Sequence, residues 1–203
     1  MKKIAFCAIV TAIVVLTSVS APAQENNMAV GAGFDIMLPT GTFGDQWSTG
    51  FGGTAQFDYA VSTHTTVTGK IGYLTWSGKQ AYYTTSSAVT NFSASYSGVP
   101  VLVGVKYYPH LFVTQSQTPV RVYGHLELGL MFGSSSVSGS YRGFLATYSL
   151  STSASKTDFT IVPSIGAEIP VVPKGAIDVS VRYFDIASHG NIGFRVGYKM
   201  TLG

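Results

Sequence analysis

The run Val120-Arg121-Val122-Tyr123-Gly124-His125-Leu126-Glu127-Leu128-Gly129-Leu130-Met131-Phe132-Gly133 decides the fold class. Val122, Leu126, Leu128, Leu130 and Phe132 take alternate positions, and Arg121, Tyr123, His125 and Glu127 fall between them. Successive side chains of a β-strand point to opposite faces, so a period of two sorts this run into an apolar face and a polar face. A helix, with 3.6 residues per turn, would mix the two sets.

The same alternation recurs in seven further segments. In 28–38 the even positions carry Met28, Val30, Ala32, Phe34, Ile36 and Leu38, with Asp35 on the other face. Segment 50–61 sets Phe51, Ala55, Phe57, Tyr59 and Val61 against Thr54, Gln56 and Asp58. In 66–76, Val67, Ile71 and Tyr73 oppose Thr68 and Lys70, while Leu74 and Trp76 fall on the polar side. Segment 98–108 has Val99, Val101, Val103, Val105 and Tyr107 on one face and Lys106 on the other. Segment 158–169 opposes Phe159, Ile161, Ile165 and Ile169 to Thr160, Ser164 and Glu168. The last two segments set Ile177, Val179, Val181 and Tyr183 against Asp178, Ser180 and Arg182, and then Ile192, Phe194, Val196, Tyr198, Met200 and Leu202 against Arg195 and Lys199. Pro100 and Pro163 lie inside two segments and cannot donate a ladder hydrogen bond, which predicts a bulge or an interrupted ladder at each.

Composition decides where such strands reside. Only 10% of the 203 residues are charged, against about 25% in typical globular chains. Beyond the N-terminus, no segment is long and apolar enough for a spanning helix. A chain too apolar for water and without spanning helices points to the closed barrel, which leaves no strand edge unsatisfied in lipid. A soluble barrel would need a charged outer wall, whereas here the polar face is largely Gly, Ser, Thr and Ala. The apolar face is nearly free of charge, as expected where a Lys or Arg at the bilayer midplane costs about 2–4 kcal/mol. The expected fold is an all-β, eight-stranded antiparallel up-and-down transmembrane barrel. Connections 39–49, 77–97 and 134–157 are long, whereas 62–65 and 170–175 are short, which places the long ones outside the cell and both chain ends in the periplasm. The third long connection holds Tyr141–Tyr148, a candidate hairpin that would extend its strands past the membrane.

The N-terminus reads as a cleaved leader. Met1-Lys2-Lys3 is basic, 4–19 is almost wholly apolar, and Ala21-Pro22-Ala23 offers a cleavage site, giving a signal peptide over 1–23 and a barrel domain over 24–203. Without Lys2 and Lys3 the formal charge falls from +3 to +1, so basicity gives no argument for nucleic acid. Cys7 leaves with the leader, which excludes disulfides and thiolate chemistry from the remainder.

Several stretches resemble the small outer-membrane barrels of the OmpA transmembrane-domain and OmpX type, the broad outer membrane β-barrel domain group. They are Gly50-Phe51-Gly52-Gly53, Val99-Pro100-Val101, Gly104-Val105-Lys106-Tyr107-Tyr108, Tyr123-Gly124-His125-Leu126-Glu127-Leu128-Gly129, Ile165-Gly166-Ala167-Glu168 and Val181-Arg182-Tyr183. The resemblance implies residence in a bacterial outer membrane, with membrane lipid and lipopolysaccharide as neighbours. The end of the chain, with Arg195, Gly197, Tyr198, Met200 and Leu202, is similar to the signal read by the barrel-assembly machinery, although Leu202-Gly203 stands where that family usually ends in an aromatic residue.

The inward face collects the candidate site residues. Acids Asp35, Asp58, Glu127, Glu168 and Asp178 meet bases Lys70, Lys106, Arg121, Arg182, Arg195 and Lys199, with His125 and Gln56 among them. Strand position sorts Asp35, His125, Glu127, Arg182 and Arg195 to mid-height, and Asp58, Lys70, Lys106, Arg121, Glu168, Asp178 and Lys199 toward the periplasm. Near-neutrality is what a narrow lumen demands, because a lone buried charge is costly. The network is therefore expected to fill the barrel with ion pairs. A sharper alternative makes Glu127 a gate, exchanging between Arg182 and Arg195 to open a narrow pore. A lipid-A-modifying enzyme would need a histidine beside a nucleophile or an acid at an accessible surface, and His64, His110, His125 and His189 are scattered, with only Ser188-His189 suggestive. No catalytic residue, cofactor or metal ligand set is expected. The function expected is envelope structure or contact with a surface ligand or partner protein through the long connections.

Overall fold

The computed structural model describes residues 28–79, 89–109, 120–142, 147–186 and 189–202. The leader over 1–23, His110 and Ser188 lie outside them. Eight strands close into one barrel in sequence order: β1 (Met28–Pro39), β2 (Gly50–Ala60), β3 (Thr65–Ser77), β4 (Val89–Tyr107), β5 (Arg121–Arg142), β6 (Thr147–Val172), β7 (Gly175–Ile186) and β8 (His189–Leu202). Every neighbouring pair is antiparallel, and β8 closes on β1 through Met28–Leu202 to Pro39–Asn191. One short helix, α1 (Gly41–Gln46), follows β1, its first residue held at φ +59°, a left-handed conformation that glycine adopts without strain.

The alternation sorts as the sequence predicts. Most of the apolar set of each strand is exposed on the outer wall, from Ile36 at 36% to Ile165 at 63%, whereas most of the charged set is buried inside. On β5 the outer apolar residues run from Val122 to Phe132. Ten residue steps of about 3.3 Å, tilted by about 40°, rise about 25 Å, the height of an outer-membrane apolar band.

Both prolines interrupt a ladder without shifting it. Pairing between β3 and β4 passes from Ile71–Val101 to Leu74–Gly98, and between β6 and β7 from Ile161–Asp185 to Ser164–Arg182, each in unchanged register. The opposite ladders, through Pro100–Met131 and Leu126–Pro163, are continuous. Each missing N–H thus weakens one side only.

The extracellular connections carry further structure. Most of the described residues of segments 77–97 and 134–157 are strand, so the strand extension expected around Tyr141–Tyr148 is found, and β4 extends alongside it. β4, β5 and β6 are 19, 22 and 26 residues long. They run on past the apolar band as a three-stranded sheet, paired as far as Val89–Tyr141 and Arg142–Thr147. Connection 39–49 contains α1 and an isolated bridge from Trp47 to Gly78.

Outer-wall chemistry changes along one line. One inward-outward repeat beyond Tyr73, Val99, Phe132 and Phe159, the outward residues become Thr75, Ser97, Ser134 and Thr157. Register then aligns serines across the sheet in three rows: Ser97–Ser134–Ser155, Ser95–Ser136–Ser153 and Ser93–Ser138–Ser151. Thr75 and Ser77 of β3 continue the first two rows. Neighbouring hydroxyls stand about 4.8 Å apart across strands and about 6.8 Å apart along them.

Candidate functional site: a filled lumen beneath an extracellular sheet

The lumen is built in layers. Nearest the periplasm, Lys106 of β4 donates to Glu168 of β6 (3.1 Å) and Asp178 of β7 (2.9 Å) and lies 3.7 Å from Asp58 of β2. Lys199 of β8 joins Asp58 (3.2 Å) and Glu168 (2.5 Å). Two tyrosine hydroxyls complete the layer, Tyr108 donating to Glu168 (2.8 Å) and Tyr123 to Asp178 (2.6 Å). Three carboxylates are thereby tied together by ammonium groups, and each gains further hydrogen bonds, the condition under which buried charges are tolerated.

Above this layer, Arg182 of β7 pairs with Asp35 of β1, and the Thr54 hydroxyl donates to the same carboxylate (2.8 Å). Lys70 of β3 pairs with Glu127 of β5 at 2.7 Å. Arg195 bridges the layers, donating from Nε to Thr54 (3.0 Å) and lying 3.5 Å from Asp178. Gly33 makes room for it, because a Cβ there would stand 2.7–2.9 Å from the guanidinium.

Three placements differ from the sequence expectation. Lys70 reaches up to Glu127 at mid-height, because a four-carbon side chain ends well away from its own strand position. Arg121 is exposed outside the network, its guanidinium 4.1 Å from the ring centre of Tyr108, because it is the first residue of β5 and stands at the mouth. Glu127 has Lys70 as its close partner, with Arg182 at 3.9 Å, while Arg195 turns to Asp178. Below the charges, a vestibule of about 270 Å³ opens to the periplasm between Asp58, Tyr108, Arg121, Glu168, Lys174 and Lys199.

The upper lumen is apolar, which sequence reasoning missed. Met37, Leu74, Trp76, Leu102, Met131, Val162 and Phe184 point inward and are buried, joined by Trp47 and Ala94. α1 folds over them. Phe43 packs edge-on to Trp76 (5.8 Å between ring centres) and Tyr96 (5.6 Å), and Trp76 lies 5.4 Å from Tyr96. Lys79 fastens the helix through its backbone N–H to the Gln46 carbonyl (2.8 Å) and its ammonium to the Gly44 carbonyl. Thr40 ties the other end to the Gly190 carbonyl (2.7 Å). The signal lay in the misfit of Leu74 and Trp76: inward positions near the extracellular end of several strands are apolar too.

One trio resembles a hydrolytic arrangement. Thr68 Oγ1 lies 2.8 Å from His125 Nε2, and His125 Nδ1 lies 3.7 Å from Glu127. All three side chains are buried, Lys70 holds the Glu127 carboxylate, and the apolar cluster and charge layer flank them. His64 is in the periplasmic turn, its Nδ1 2.8 Å from the Thr63 hydroxyl. In β8, Tyr198, Met200 and Leu202 face outward, while Gly197 packs inward against the Ala32 carbonyl and Arg195.

The sequence matches the outer membrane protein beta-barrel domain family over residues 9–199. No curated protein matches significantly. Among solved structures, the chain is similar to Ail of Yersinia pestis, at 16% identity and a TM-score of 0.57, covering 88% of this chain and all of that one. It is also similar to OprG of Pseudomonas aeruginosa (11% identity, TM-score 0.54, 86% and 95% coverage) and to the Neisserial surface protein NspA (14%, 0.53, 87% and 97%). With a closed eight-stranded barrel, an apolar outer belt and a family match over nearly the whole chain, the protein belongs to the outer membrane protein β-barrel domain family and resides in the bacterial outer membrane.

Proposed function

We propose that this protein is a closed, non-enzymatic barrel that serves the cell envelope as a structural or surface-contact component, with the β4–β6 sheet as its working surface. The observation that carries this reading is the pairing of a filled lumen with a sheet that extends well past the membrane. A polar network above the vestibule and an aromatic cap above that leave the molecule little to offer through its interior. Eight strands enclose a space just filled by side chains. The Thr68–His125–Glu127 trio supports a packing role in this reading, since a substrate would have to displace the cap to reach it. Lipid A isolated with and without the protein is accordingly expected to have the same mass spectrum.

Biogenesis belongs to the same reading: export with removal of residues 1–23, then recognition of Gly197, Tyr198, Met200 and Leu202 by the assembly machinery. A polyanionic ligand finds little support. Ail has been crystallised with the heparin analogue sucrose octasulfate, but segments 77–97 and 134–157 here hold only Lys79, Arg142 and Lys156 as cations, and Lys156 pairs with Asp158 at 2.6 Å. Surface contact through hydroxyl and aromatic groups fits better.

The test is a shortened sheet. Replacing 139–150 with Asn-Gly joins the directly paired Ser138 and Ser151 through a tight hairpin. Cells carrying only this variant are expected to assemble the barrel normally but to lose detergent resistance or surface attachment conferred by the full chain. Full function in the shortened form would overturn the reading.

A further inference from the structure

The serine rows make up the outer, free face of the sheet. Its opposite face turns toward the cap at β4 and β5, with Tyr96 and Val137 packed against the apolar cluster, and is exposed along β6 at Thr152, Ala154 and Lys156. The free face continues the outer wall itself: the first hydroxyl row lies one repeat beyond Val99 and Phe132, where the apolar band ends. What lies against it is therefore the headgroup zone of the same leaflet that covers the belt below. The geometry points to this array as a contact site for uncharged sugar hydroxyls in the headgroups of outer-leaflet glycolipid packed around the barrel.

Three features favour sugars over other occupants. The face is hydroxyl throughout and carries no charge: Lys156 and Asp158 alternate out of the rows and pair with one another. Phosphate would call for cations instead. Each hydroxyl offers one donor and two acceptors. One internal pair across strands is made, Ser95 to Ser136 at 2.9 Å, and Thr75 donates to the Tyr96 carbonyl at 3.4 Å; the serines of the rows are exposed, apart from a half-buried Ser97. The rows are fixed by backbone register rather than carried on a loop, so the hydroxyls are pre-positioned, which lowers the ordering cost of a weak polar contact. An array three to four strands wide and three rows tall gives many such contacts at once.

The inference rests on the sheet being the working surface, and its test separates the two. The folded full chain is placed in bilayers containing lipopolysaccharide with its core sugars, or lipid A without them. The readout is the temperature at which the folded band converts to the unfolded band on a gel. Core sugars are expected to raise this midpoint by several degrees, as a ligand of the folded state does. The middle-row variant Ser95→Ala/Ser136→Ala/Ser153→Ala is expected to lose most of that increment while keeping the lipid A midpoint. Ser135→Ala/Thr152→Ala, on the opposite face, is expected to keep it. Equal wild-type midpoints in the two glycolipids would overturn the assignment without needing any variant, and so would a middle-row variant that retains the increment. Cross-linked dimers in phospholipid alone, lost with the middle-row variant, would also overturn it by making a second copy the occupant. Each of these leaves the shortened-sheet result standing, whereas a fully functional shortened sheet removes the reading beneath.

Discussion

Glu127 illustrates how the lumen holds charge. Its carboxylate is buried and has Lys70 at 2.7 Å, with His125 and Arg182 farther off. Removing one member of such a pair strands the other in a low-dielectric interior, while removing both leaves little net cost. Glu127→Leu should therefore destabilise the barrel by about 3–5 kcal/mol, and Lys70→Met/Glu127→Leu should return to within about 1 kcal/mol of the parent. Urea unfolding in detergent micelles, followed by gel mobility, checks both. The glycines make a second residue-scale prediction with opposite signs. A Cβ on Gly129 would stand 2.0 Å from the Val101 carbonyl oxygen and 2.9 Å from Leu102 Cα, so the β4–β5 ladder must part. Nothing lies within 4 Å of a Cβ on Gly124, which faces outward. Gly129→Ala should cost about 1–3 kcal/mol, whereas Gly124→Ala should gain a few tenths by restricting the unfolded chain. Equal effects in the same assay would contradict the inward and outward assignment. At this scale the sequence was legible for direction and less so for reach. Alternation fixes which wall a side chain leaves from, but Lys70 and Arg195 end far enough from their backbones to choose partners in another layer, and Arg121 escapes at the mouth.

The elements show a sharper division. The strands crossing the membrane were readable because lipid outside and polar groups inside impose a strict period of two. Beyond the belt both walls meet water or headgroups, and Ser/Thr-rich strand no longer differs in pattern from loop. Register transmitted from the barrel, rather than local alternation of hydropathy, keeps β4, β5 and β6 paired out to Arg142–Thr147. α1 was hidden for a related reason: it is six residues long and held by aromatic contacts from β3 and β4 that no local signal reveals. Both tryptophans of the chain, Trp47 and Trp76, sit in this cap, 5% and 1% exposed. Tryptophan fluorescence, excited selectively over tyrosine, thus reports the cap alone. Phe43→Ala is expected to shift the emission to the red and make it quenchable by acrylamide, with a stability loss of about 1–3 kcal/mol for a half-buried ring and an intact folded gel band. Unchanged emission would mean that α1 does not hold the cap closed.

For the whole molecule, the two fillings of the lumen divide the labour. Charge balance below allows acids and bases to share a narrow space, and the apolar cap above removes the water that would carry ions between them. A conduit would need a continuous polar path, and Met37, Leu74, Trp76, Met131 and Phe184 stand across it. The outer wall matches this economy, with an apolar belt about 25 Å tall giving way along one line to hydroxyls. The envelope position is set by the belt and contact chemistry by the sheet above it.

Single-channel recording of the purified, folded protein in a planar bilayer tests the filled barrel most directly. The account predicts a silent bilayer, with the folded state verified by gel mobility, and onset of current only in variants that remove the cap, such as Phe43→Ala/Trp76→Ala. Stable, discrete openings of the unmodified chain would contradict it, and would move the working part of the molecule from the sheet to the lumen.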